Sequence, residues 1–131
     1  MPFPVDDRWI QAAEAKLGVI FPEALRLRLR RENGGNVGDS EWELHPVFDQ
    51  SDRKRLKRTA NDIVQETASA RSWTGFPAAG IAIASDGYGN HLVLLPEEDG
   101  QPELSSLPYF WDHETGELQA LEAHLADLLG G

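Results

Sequence analysis

The chain has no cysteine among its 131 residues. Disulfides, thiolate nucleophiles and cysteine-ligated zinc are thereby excluded, and a reducing cytoplasm is the compartment such a composition fits. No apolar run approaches the roughly 20 residues needed to span a bilayer, and the opening MPFPVDDRW carries neither the basic nor the apolar stretch of a secretory signal. The expectation is a cytoplasmic protein with no membrane contact. A third absence is more informative. From residue 72 onward there is no lysine or arginine, while the same stretch holds ten carboxylates. All 12 lysines and arginines lie in residues 1–71, where 12 carboxylates balance them. The formal net charge of −10 therefore belongs to the C-terminal part. Such an excess keeps molecules apart in solution and also attracts a basic partner.

What is present describes a globular chain. With 40% hydrophobic and 26% charged residues, one domain over residues 1–131 with one core is expected. Trp9, Ile10, Ala13 and Leu17 fall on one helical stripe, which Asp6 or Asp7 can cap and Gly18 can end. LRLRLR, from Leu25 to Arg30, alternates like a strand, yet Pro22 and Glu23 before it and its content of Leu and Arg predict a helix ending at Asn33-Gly34-Gly35. Leu25 and Leu29 then face the core and Leu27 does not. A loop containing Gly38, Asp39 and Ser40 follows. Trp42 to Phe48 predicts a strand confined to an edge or a short piece by Pro46. Ala60 to Arg71 predicts a helix capped by Asn61 that buries Ile63, Val64, Thr67 and Ala68.

Ile81 to Ala84 and Leu92 to Leu95 are continuously apolar, as in central strands covered on both faces. Tyr109-Phe110-Trp111 and Glu117 to Leu121 predict two short strands joined by a turn at Glu114-Thr115-Gly116, and Leu121 to Leu129 a closing helix. The sum is an α+β domain.

The insert Asp86-Gly87-Tyr88-Gly89-Asn90 invites two site readings, and both fail. Asp86 and Glu97 have the spacing of the first and twelfth ligands of a calcium loop, but Tyr88 stands where the third ligand belongs and His91 where the glycine must be. As a dinucleotide loop it lacks the third glycine and precedes a strand, not a helix. A hairpin turn remains, with Gly87, Gly89 and Asn90 available for positive φ and Asp86 bonding to nearby amides. His113 lies between Asp112 and Glu114, but no ligand set of recognised spacing joins it to His91 or His124, and no nucleophile elbow accompanies it. Neither a metal, a cofactor nor a catalytic residue is expected. The basic clusters Arg26–Arg31 and Arg53–Arg58 sit in a polyanion-repelling chain, so they are expected to pair with carboxylates and not with nucleic acid.

Several landmarks occur together: Trp9, then LGVIFPEALRLRLRRENGG (Leu17 to Gly35), then IAIASDGYGNHLVLL, then YFWDHETGEL (Tyr109 to Leu118) and a leucine-rich end. In this order they resemble the SUKH superfamily, specifically its cell-wall-assembly-regulator-like (Smi/Knr type) branch. The resemblance implies a largely antiparallel sheet flanked by helices and a binding module without catalysis. It implies either a bacterial immunity protein that blocks a cognate polymorphic toxin, such as a nuclease or deaminase, or a regulatory or scaffold module. Joined to the charge asymmetry, it leads to a partner with a basic surface, contacted by Asp86, Tyr88, Glu97, Glu98, Asp99, Asp112 and Glu114 along one rim, with Tyr88 as aromatic anchor.

Overall fold

Helix α1 (Asp7–Leu17) buries Ile10 and Ala13 and stops at Gly18, whose φ of 70° is the left-handed conformation that favours glycine. Asp6 precedes it in extended conformation, but its side chain makes no cap bond; Asp7 instead pairs with Arg30. Helix α2 (Glu23–Arg31) follows Pro22. Leu25 and Leu29 are fully buried and Leu27 is exposed, the pattern of a helix with one apolar stripe. The structure is a computed structural model and describes residues 3–37 and 40–130, so Gly38 and Asp39 of the expected loop lie outside the described residues.

Six strands follow one another through a single antiparallel sheet in sequence order: β1 (Gly35–Asn36), β2 (Glu43–Leu44), β3 (Ile81–Ser85), β4 (His91–Leu94), β5 (Tyr109–Trp111) and β6 (Leu118–Ala120). The expected strand over Trp42 to Phe48 is cut short, because Pro46 has no N–H to continue the ladder after His45 donates to the Ile83 carbonyl. Beyond that point α4 (Ile63–Arg71) lies beside β3. At the irregularity between Ala82 and Ala84, the Ala82 N–H donates to Thr67 Oγ1 at 3.0 Å. A helix side chain thus replaces a strand partner.

Helix α4 begins three residues later than the pattern predicts, and its cap is Asp62, whose carboxylate accepts from the Gln65 N–H, not Asn61. Its inner face carries Ile63, Thr67 and Ala70, while Ala68 is exposed. The cluster Arg53–Arg58 is itself helix α3, capped by Asp52. Helix α5 (Leu125–Gly130) packs on α2, with Leu125 and Leu129 buried.

Both central strands are covered on both faces. On one side Leu44, Ile83, Leu92 and Leu94 join Ile10, Leu25, Leu29 and Leu125 in the main core. On the other, Ala82, Val93 and Trp111 pack with Ala70 and Phe76. The segment running through residues 72–80 closes this second face: the Trp111 indole N–H donates to the Gly75 carbonyl at 3.3 Å, and Phe76 meets the Trp111 ring edge-on at 5.1 Å. These elements make a single-domain α+β fold. Among the described residues no helix is long and apolar enough to cross a membrane.

Candidate functional site

The insert between β3 and β4 is a turn built by Asp86. Its Oδ1 accepts from the Tyr88 N–H at 2.8 Å and from the Asn90 N–H at 3.3 Å, and its Oδ2 accepts from Asn90 Nδ2 at 2.8 Å. Partial burial works to raise the Asp86 carboxyl, but these hydrogen bonds outweigh it and hold the group below the usual carboxylate range. Gly87 and Gly89 take φ of 82° and 98°; no residue other than glycine has positive φ among the described residues, so Asn90 does not. Tyr88 is lifted clear of the protein, with 72% of its surface exposed.

A second turn, between β5 and β6, stands beside the first. Asp112 Oδ1 accepts from the Glu114 N–H at 2.9 Å, and the Gly116 N–H donates to the Asp112 carbonyl at 2.7 Å. The two turns are joined through Asn90. Its Oδ1 accepts from the His113 backbone N–H at 3.1 Å and lies 2.8 Å from His113 Nδ1. Because Asn90 Nδ2 is already turned toward Asp86, the oxygen faces the imidazole and Nδ1 carries the proton. Gly89 permits this approach, since a Cβ there would lie 3.0 Å from His113 Cγ. Trp73 adds an edge-on contact to the His113 ring at 6.1 Å and remains half exposed.

Asp86, Tyr88, Asp112 and Glu114 thus share one end of the sheet. Glu97, Glu98 and Asp99 do not. In an antiparallel meander the turns after β3 and β5 lie at one end, and the connection from β4 to β5 returns at the other. That connection carries the three exposed acids. It is tied to the region after α1 by the Ile20 N–H donating to the Pro102 carbonyl and the Leu104 N–H donating to the Ile20 carbonyl. The single acidic rim read from the sequence is therefore two separate acidic ends. At the turn end Asp86 uses both carboxylate oxygens and Asp112 uses its Oδ1 to hold the turns, whereas Tyr88 and Glu114 are exposed. Trp73, in the polar, turn-like Ser72-Trp73-Thr74-Gly75, stands exposed beside this end, as a tryptophan in such a stretch signals.

The charge asymmetry survives folding. Ion pairs among the described residues join Arg26 to Glu14, Arg30 to Asp7 and Glu23, and Arg55 to Asp49 and Asp52, all within the first 71 residues. The carboxylates after residue 71 have no basic partner among the described residues. No group of three or more His, Asp or Glu side chains among the described residues is placed to hold a metal.

A six-stranded meander with helices on one face, a helix completing its edge, and an acidic, aromatic-tipped turn end define a small α+β domain that presents loops to its surroundings. The chain belongs to the SMI1 / KNR4 family (SUKH-1), whose profile matches residues 4–131. No curated protein matches it.

Proposed function

We propose that this chain is an immunity protein that binds a cognate polymorphic toxin domain with a basic surface and neutralises it by occlusion, without catalysis of its own. Membership of the SMI1 / KNR4 family supports a binding module of this kind. The observation that carries the placement is the Asn90–His113 link, which fixes Tyr88 and Glu114 on neighbouring turns of one acidic end. Enzymes that act on nucleic acids present basic clefts, and an acidic end with an aromatic tip can occupy such a cleft, steered by opposite charge. Tyr88 supplies apolar area at the centre and Glu114 the charge beside it.

The test is capture of the partner from cells that make this protein, followed by expression of the captured domain alone and together with it. A toxin reading requires that the domain alone arrests growth, that co-expression restores it, and that Tyr88→Ala with Glu114→Lys abolishes the rescue while the protein stays folded. A captured partner that is harmless alone contradicts immunity and favours a regulatory or scaffold role.

A further inference from the structure

The sheet has two outer edges, β1 and β6, and the protein closes only the first. At β1 the Val37 N–H donates to the Trp42 carbonyl, so Gly35 and Val37 face β2 while Gly34 and Asn36 point outward. Arg28, on α2 and only 4% exposed, meets both: its Nη2 donates to the Gly34 carbonyl at 2.7 Å and to the Asn36 carbonyl at 3.0 Å. A buried guanidinium stands where another strand would pair.

Nothing comparable lies along β6. The Asp112 N–H donates to the Glu117 carbonyl and the Leu121 N–H to the Pro108 carbonyl, which turns Glu117, Gln119 and Leu121 toward β5. Leu118 and Ala120 therefore aim their N–H and C=O groups away from the sheet, and no hydrogen bond meets them among the described residues. Of the helices and strands only β5 contacts β6, and Gln119 and Ala120 are exposed. Lysine, proline and a bulge, the usual guards of an edge, are all missing from Glu117 to Leu121. Leu118 is half-buried against the second-face cluster, and Ala120 lies on the same face, so an apolar side chain of an added strand would extend that cluster.

Charge selects what pairs there. Exposed Glu114 and Glu117 precede the strand, exposed Glu122 follows it, and no lysine or arginine occurs after residue 71. Two copies joined through this edge would gather Glu117 and Glu122 of both chains around one seam, which like-charge repulsion opposes. A basic segment fits instead. The edge is also continuous with the turn end, because the β5–β6 turn carries Glu114.

We propose that the outer edge of β6 takes an added strand: an extended segment of the protein partner bearing lysine or arginine, paired through its main chain to Leu118 and Ala120. The proposal rests on the chain being a protein-binding module, and it is testable without the partner. The probes are the peptide acetyl-Lys-Thr-Val-Arg-Val-Lys-amide, the same peptide with every main-chain amide methylated, and acetyl-Glu-Thr-Val-Glu-Val-Glu-amide, each titrated into isotope-labelled protein. The basic peptide is expected to slow hydrogen exchange of the Leu118 and Ala120 amides saturably, with the other two at least tenfold weaker. Ala120→Pro removes an outward N–H and spares the ladder to β5, so it should weaken the basic peptide at least tenfold and leave the unfolding midpoint unchanged. Absence of saturable protection, an equal response to the methylated or the acidic peptide, or unchanged peptide affinity in Ala120→Pro would overturn the proposal. Protection of Leu118 and Ala120 that rises with protein concentration alone would make a second copy the occupant and overturn it equally. Tyr88→Ala separates this edge from the turn end: it should weaken the captured partner and leave the peptide unchanged.

Discussion

Asn90 and His113 hold two hairpin turns in register. Asn90 Oδ1 accepts from the His113 backbone N–H at 3.1 Å and faces its Nδ1 at 2.8 Å, while the same amide donates to Asp86. One side chain thus spans both turns that carry Tyr88 and Glu114. Asn90→Ala removes these bonds at a half-buried position. A loss of about 1–3 kcal/mol in stability is expected by urea unfolding, together with weakened partner binding beyond what Tyr88→Phe produces.

Glu14 is the most heavily used buried carboxylate. It accepts from the Phe21 N–H at 2.7 Å and takes a forked contact from Arg26, joining α1 to the start of α2. Glu14→Ala leaves a buried N–H unmet and should destabilise by about 2–3 kcal/mol in denaturant unfolding. Arg30→Ala, which breaks only exposed pairs, should give no resolved change.

Gly75 touches Gly116 so closely that a Cβ on Gly75 would sit 2.7 Å from Gly116 Cα, and its φ is 90°. This contact lets the segment over the second face lie against the β5–β6 turn. Gly75→Ala should therefore cost about 1–3 kcal/mol from backbone strain alone, more as the contact is forced apart, and thermal unfolding measures it.

Stability should depend on mild acid through the buried imidazoles. Burial, aided by neighbouring His91, lowers His45 from 6.5 to about 3, and burial lowers His91 as well. In the unfolded chain both take up a proton near the ordinary histidine value, so the unfolded state binds more protons below about pH 6.5. The stability these neutral rings confer is complete above that value and declines as pH falls toward 3. In His45→Phe, the slope of unfolding free energy against pH between about 6.5 and 4.5 should flatten; an unchanged slope would show that His45 is charged in the native state.

Much of the fold is written locally. Gly18 and Pro22 mark the end of α1 and the start of α2, and the unbroken apolar runs before and after the glycine insert mark β3 and β4 as strands buried on both faces. Helix α3 escapes such reading because Arg53–Arg58 has a single apolar residue, Leu56, and so no periodicity. The length of β2 is set by Pro46 and by α4 taking over the edge of β3, a tertiary event. For the site, composition reveals the acidic excess and the turn chemistry around Asp86. It does not reveal that Glu97, Glu98 and Asp99 lie at the far end, because that follows from strand connectivity.

The most direct measurement is the association rate of the captured partner with the wild-type protein, Tyr88→Ala and Glu114→Lys across a series of salt concentrations. For the wild type the rate should fall steeply with salt, Glu114→Lys should lower both the rate at low salt and its salt slope, and Tyr88→Ala should speed dissociation at least tenfold. Equal rates and equal salt slopes for all three proteins would place the partner elsewhere and contradict an acidic turn end as the binding surface.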